Sequence, residues 1–256
     1  MLANNPIENV RWSPLSRNPA EEALDLLLQN TDKIDWEQLS ANPNPRAVAL
    51  LMENQDKISW HFLSRNPNDQ AADLLLKNPR RMDPLAMGFN PNDRIVDYIL
   101  AHPETFNGYL TSANPNDRVV DYLLQNEDEV MWYAFNLNPN EKAVDFLLKN
   151  PHFIEIQALG RNPNDRAVEY MLTQEGRPGF PWSSLSRNPN DKAVDRVLAS
   201  DRLALAPEEQ CWKNLCVNTN SRVVEFLEEN RSYIDWDQLY LNESPALWTS
   251  GAYLFK

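Results

Sequence analysis

The feature that most constrains this chain is a repeat. Asn-Pro pairs recur at Asn18, Asn42, Asn66, Asn90, Asn114, Asn138, Asn162 and Asn188, and degenerate copies follow at Asn218 and Asn242. The spacing is 24 residues six times, then 26, 30 and 24. A period of this length, sustained over nearly the whole chain, points to an architecture in which one small supersecondary unit stacks on the next. Offsets are counted from these anchors.

Each unit opens on a helix signal. In Asn114-Pro-Asn-Asp-Arg-Val-Val-Asp-Tyr-Leu-Leu-Gln-Asn126 the anchor Asn suits an N-cap and the following Pro suits the first helical position. Offset three is acidic in most copies (Glu21, Asp69, Asp93, Asp117, Glu141, Asp165, Asp191), which is capping-box spacing. Apolar residues at offsets five, six, nine and ten, as in Val119, Val120, Leu123 and Leu124, predict one buried stripe. Asn at offset twelve (Asn30, Asn54, Asn78, Asn126, Asn150, Asn230) predicts a helix end in the left-handed conformation. Such a helix, about ten residues long, is too short to be stable alone.

A tryptophan column precedes each next anchor by six residues: Trp12, Trp36, Trp60, Trp132, Trp182, Trp212 and Trp236. Three residues later comes Leu15, Leu39, Leu63, Met87, Phe135, Leu159, Leu185, Leu215 or Leu239. This predicts a second, very short helix, α or 3-10, capped by Asp35, Ser59, Asp83, Asn107 or Asp235. The expected fold is an all-α solenoid of about ten long-helix/short-helix units, one domain spanning residues 1–256. Insertions are expected near 173–181 and 199–211, between the long and short helices of their units, and 246–256 is expected to cap the stack or to dock on another chain.

A 24-residue unit with Asn-Pro before a helix, a second Asn at mid-repeat and a very short second helix resembles the leucine-rich repeat variant family, over about residues 5–245. That family stacks alternating α and 3-10 helices into a superhelix, so the resemblance implies a binding scaffold. Asn-Pro-Asn arrays are also similar to repeat proteins of large DNA viruses, which keeps a viral origin open.

Composition narrows the function classes. A formal charge of −13 argues against nonspecific nucleic-acid binding and against docking on an anionic membrane. A broken basic path through Arg17, Arg65, Arg161 and Arg187 is the one local exception. Two cysteines make no disulfide framework, the first ten residues hold no apolar signal core, and no apolar run reaches membrane length, so a cytoplasmic, reducing location is expected. His61, His102 and His152 have no metal-ligand neighbours at short spacing, and no phosphate loop is present. No enzyme, metal or cofactor is expected.

Two surfaces are candidates for binding a partner. Acids fill offset seven (Asp25, Asp73, Asp97, Asp121, Asp145, Glu169, Asp195, Glu225) and bases fill offset four (Arg46, Arg94, Arg118, Lys142, Arg166, Lys192, Arg222). They read either as charge ladders between units or as an acidic surface that steers a basic partner. The two residues after each tryptophan are expected to face outward, on what should be the concave side. There His61, Phe62, Tyr109 and Tyr133 read either as an exposed hot spot or as rings tucked against neighbouring units. The tryptophans themselves are expected in the core. The expected function is a non-enzymatic protein-interaction scaffold, binding on the concave face or an insertion edge. The alternatives are a structural component of a larger, viral-type assembly that self-associates through its ends, and an acidic decoy for a basic or nucleic-acid-binding partner.

Overall fold

The structure, a computed structural model, describes residues 10, 12–102, 111–200, 209–239 and 242. The protein is all-helical, with no strand among the described residues. It divides into two compact units: Leu15–Ala143, and Val144–Lys256 with Met1–Pro14.

In the first unit the long helices are Glu21–Gln29, Pro45–Glu53, Asp69–Lys77, Asp93–Ala101 and Asp117–Gln125. The short ones are Trp36–Ser40, Trp60–Ser64, Pro84–Met87 and Trp132–Asn136. In the second, Asp165–Thr173, Asp191–Leu198 and Ser221–Glu229 alternate with Ile156–Leu159, Trp182–Ser186, Glu209–Cys216 and Trp236–Leu239. The short elements are α. The 3-10 geometry belongs instead to a third element between long and short helix, as at Thr31–Lys33, Gln55–Lys57, Pro79–Arg81, Glu127–Glu129, Pro151–Phe153 and Arg231–Tyr233.

The expected N-cap is displaced by two residues. The long helices start at offset three, and the cap is the second Asn of Asn-Pro-Asn: Asn44, Asn68, Asn92, Asn116, Asn140, Asn164, Asn190 or Asn220. Its Oδ1 accepts the N–H of offset four at 2.8–3.1 Å. The offset-three acid is therefore the first helical residue and closes no capping box. At the other end Asn30, Asn54, Asn78 and Asn126 are not left-handed; Asn30 has φ −137° and ψ 56°. Their Nδ2 groups donate to the carbonyl four residues back at 2.8–2.9 Å and extend the helical ladder by one side-chain bond.

The anchor Asn has a larger task than capping. Asn42 is fully buried. Its Oδ1 accepts from Asn44 N–H at 3.0 Å, while Nδ2 donates to the carbonyls of Ser16 at 2.9 Å and Asn18 at 2.8 Å, in the preceding repeat. In the first unit Asn66, Asn90, Asn114 and Asn138 repeat this donation to the residues 24 and 26 positions earlier. In the second, Asn188 and Asn218 do so with the spacing widened by the insertions, and Asn242 does so at the regular 24 and 26. Only an amide both accepts one such bond and donates two.

Offsets five, six and nine of every described long helix are buried, as is the Leu/Met/Phe column of the short helices. Each buried Leu or Val contributes on the order of 1.5–3 kcal/mol, set against the ordering of the chain. Offset ten departs from expectation: Leu28 and Met52 are 41% and 44% exposed. One residue on from offset nine turns the side chain about 100° away, to the rim of the stripe.

Candidate functional site

Three ladders lock consecutive repeats and decide which side chains remain free. The first is a serine column. Ser40 Oγ donates to Trp36 O at 2.7 Å and accepts Ser59 N–H at 3.0 Å, so the hydroxyl joins the end of one short helix to the start of the next. Ser64 does the same toward Asp83 N–H, and Ser112 receives Met131 N–H. This column was not read from the sequence, although serine two residues before the anchor recurs there.

The second ladder is charged. In the first unit Arg46 reaches Glu21 at 2.6 Å and Asp25 at 2.9 Å, Arg94 pairs with Asp73, Arg118 meets Asp97 at 2.5 Å, and Lys142 meets Asp121 at 2.7 Å. In the second unit Arg166 meets Asp145 at 2.9 Å, Lys192 meets Glu169 at 2.5 Å, and Arg222 pairs with Asp195. Each base thus bonds to the offset-seven acid of the repeat before it. The one gap in the first unit is matched on both sides, since Ala49 faces the position of Gln70. Asn140 also donates to Asp117 Oδ1 at 2.6 Å, and that hydrogen bond, with the Lys142 charge, holds Asp117 below its ordinary pKa. Glu21 is lowered by Arg46 and Asn44, Asp145 by Lys149 and Arg166, and Asp165 by Asn190 and Lys192.

The third involves the tryptophans, which are half-buried except Trp212. The column therefore lies at the edge of the core, with Trp212 inside it and Trp182 and Trp236 packed against it. The open ring face is covered by a residue of the next repeat's 3-10 turn: Lys57 Nζ lies 4.3 Å from the Trp36 ring and Arg81 5.0 Å from Trp60. Tyr233 stacks on Trp212 at 4.5 Å in the same register.

With these groups engaged, the outward face of the short helices stands apart. The residue after each tryptophan position is exposed at Glu37, His61, Leu85, Tyr133 and Gln157. The second residue is not outward, contrary to expectation. Phe62 is half-buried, and Ala86, Ala134 and Ala158 are buried, because the adjacent short helix approaches that side of the helix. Leu85 is 56% and Tyr133 38% exposed. Tyr109, in the same column, lies outside the described residues, as do 246–256 and most of the 199–211 insertion. His61 Nδ1 is 2.7 Å from Asp83 Oδ2, and Asp83 Oδ1 caps the next short helix through Leu85 and Ala86 N–H. Burial raises the Asp83 pKa, but the His61 bond and the two N–H groups outweigh it and leave it lowered. Four residues beyond the outward column, Arg65 stacks 5.0 Å from the Phe89 ring. Leu85 carries no aromatic or imidazole signal in the sequence; only its place in the column marks it.

Elsewhere the expected short-helix caps hold at Asp35 and Asp235, whereas Ser59 makes no side-chain cap and Asn107 lies outside the described residues. His102 replaces the offset-twelve Asn, donating from Nδ1 to Tyr98 O at 2.9 Å. Among the described residues no three His, Cys, Asp or Glu cluster as a metal site, and no helix is long and apolar enough to cross a membrane. No family model matches the chain, and neither a curated protein nor a solved structure matches it.

Proposed function

We propose that the repeats stack as an α-solenoid of the kind the leucine-rich repeat variant resemblance implies, and that the protein is a non-enzymatic scaffold for protein partners. The contact face is the outward column of the short helices in Leu15–Ala143. One observation carries this reading: Leu85 and Tyr133 stay exposed on a face where serines, asparagines and ion pairs have consumed the neighbouring polar groups. Exposed tyrosine and leucine suit the centre of a protein interface. The acidic columns are not part of the reading, since the offset-seven carboxylates from Asp73 to Asp195 are bonded to bases of the next repeat.

The experiment is an affinity capture from cells expressing the protein, with wild-type and Leu85→Ser/Tyr133→Ser baits of equal melting temperature. A stoichiometric protein held by the wild type and lost from the variant supports the scaffold and places its face. Equal recovery on both baits removes this face from consideration. Self-association without other partners moves the structural-assembly reading ahead.

A further inference from the structure

The insertion in the repeat anchored at Asn162 builds a feature that the regular repeats lack. The chain turns at Gly176 (φ 86°) and Gly179 (φ 80°), left-handed positions that favour glycine, and comes back through Phe180 and Pro181 to Trp182. Between this loop and the short helix of the preceding repeat lies an open cleft of about 550 Å³. Exposed Gln157 and half-buried Ser183, the first residues after the tryptophan position in two successive short helices, contribute to its lining, with Arg177, Phe180 and Trp182. No carboxylate lines it.

The one charged side chain in its lining is Arg177. Arg161 and Arg187 sit four residues after Gln157 and Ser183, just past the ends of helices Ile156–Leu159 and Trp182–Ser186 and outside the lining itself. None of Arg161, Arg177 and Arg187 has a carboxylate partner among the described residues. The loop's own acid, Glu175, is bound by Arg196, whose guanidinium lies 5.2 Å from the Trp182 ring. Partial desolvation, and then the charge of Arg161, hold Arg187 below its ordinary pKa. In a chain where the offset-four bases are spanned by acids of the preceding repeat, a set of three unopposed arginines beside an aromatic cleft stands out.

We infer that this cleft is a second binding site, specific for a short acidic peptide segment. Its anionic side chains lie across Arg161, Arg177 and Arg187, and an aromatic or aliphatic side chain enters between Phe180 and Trp182. Guanidinium groups match carboxylate or phosphoryl oxygens through paired N–H donors. The two glycines hold the loop without strain, so a peptide meets a preformed wall. The site belongs to Val144–Lys256 and stands independently of the short-helix face of the first unit.

The test uses the full chain and two fluorescein-labelled pentapeptides, Glu-Glu-Phe-Glu-Glu and its phosphotyrosine counterpart, followed by fluorescence anisotropy. Controls are Lys-Lys-Phe-Lys-Lys and a short single-stranded oligonucleotide. The expected result is saturable binding of an acidic peptide that weakens with salt and falls roughly tenfold or more in Arg161→Ala/Arg187→Ala. Phe180→Ala should weaken the peptides without changing the salt dependence. Melting temperatures of the variants exclude unfolding as the cause. The two acidic peptides distinguish carboxylate from phosphoryl recognition within the same site. Affinity unchanged by the arginine variants, equal binding of the lysine peptide, or tighter binding of the oligonucleotide each overturns the proposal.

Discussion

Gly160 lies so close to Pro181 that a Cβ on the glycine would come within 3.2 Å of the proline Cγ, and equally near Ser184 Cβ. Gly160 occupies the column that holds Ser40, Ser64 and Ser112 in other repeats, where the hydroxyl receives the N–H that opens the next short helix. In this repeat that position is Pro181, which has no N–H to give. A serine there would lose its donor and crowd the ring, so the two departures belong together. Gly160→Ala should cost about 1–3 kcal/mol, as overpacking does. Adding Pro181→Ala should recover part of it, giving a non-additive double-mutant cycle in urea unfolding. Strict additivity would mean that the two residues do not constrain each other.

The buried anchor amides predict an asymmetry between two near-isosteric changes. Asn114 Nδ2 donates to Gly88 O at 3.0 Å and Asn90 O at 2.9 Å, and Oδ1 accepts Asn116 N–H at 3.0 Å. Asn114→Ala orphans these groups at about 1–3 kcal/mol each. Asn114→Asp keeps the acceptor but turns a carboxylate toward two carbonyl oxygens in a buried site, so at neutral pH it should be the more damaging. Burial raises that carboxyl pKa in the fold, and the Asp variant should therefore recover relative to Ala as pH falls. Circular-dichroism melts at neutral and mildly acidic pH decide it; an Asp variant as stable as wild type would refute the anchor's role as donor.

The charge ladder sets the acid side of the stability profile. Glu21, Asp117, Asp145 and Asp165 are lowered from ordinary values of 4.5 and 3.8 by bonds to Arg, Lys and Asn. A carboxyl with a lower pKa folded than unfolded stabilises the fold above the unfolded value, and this is lost as pH falls through the folded one. The urea midpoint should thus be level above about pH 5 and decline below about pH 4. These groups are exposed, so added salt should shrink the effect. Installing the missing pair, Ala49→Asp with Gln70→Arg, should give a small gain that disappears at high salt. A midpoint that rises on acidification would contradict the ladder.

What was legible in the sequence follows from how each role restricts residue type. Offsets five, six and nine and the Leu39/Leu63/Phe135 column were readable because burial admits only apolar residues at fixed spacing. The anchor was misread because Asn-Pro-Asn presents two residues with the same local capping signature. The distinguishing signal was chemical: a cap accepts Ser, Thr or Asp, yet Asn stands at every anchor from Asn18 to Asn242, as only an amide that donates and accepts requires. Of the candidate face, His61 and Tyr133 were found and Leu85 was not. The cleft depends on how the loop at Gly176 and Gly179 turns, which no periodicity encodes.

Cys216 stands in the same column as the serines, and burial pushes its thiol up to about 11, partly countered by the Asp235 N–H. Both cysteines are free and buried. The thiolate is the reactive species, so Cys216 should react with thiol reagents at neutral pH only upon unfolding. Cys216→Ser should fold with near-native stability, because serine makes this bond at Ser40 and Ser64. Rapid modification of native protein, or a large loss of stability in the serine variant, would separate Cys216 from the column.

Phe62 and Tyr133 share one candidate face in the sequence, and their burial separates them. Phe62 is half-buried with its ring edge-on to His61 at 5.3 Å, whereas Tyr133 is 38% exposed and follows the half-buried Trp132. Removing packed aromatic area costs stability in proportion to what leaves the core, and removing solvated area costs little. Phe62→Ala should therefore lower the melting temperature clearly, while Tyr133→Ala and Leu85→Ser should leave it nearly unchanged. If the outward column is a partner surface, the last two should still weaken partner capture. The diagnostic result is loss of binding without loss of stability at Tyr133 and Leu85. A melting temperature that drops equally for Tyr133→Ala and Phe62→Ala would make the exposed ring part of the packing and remove it from the face.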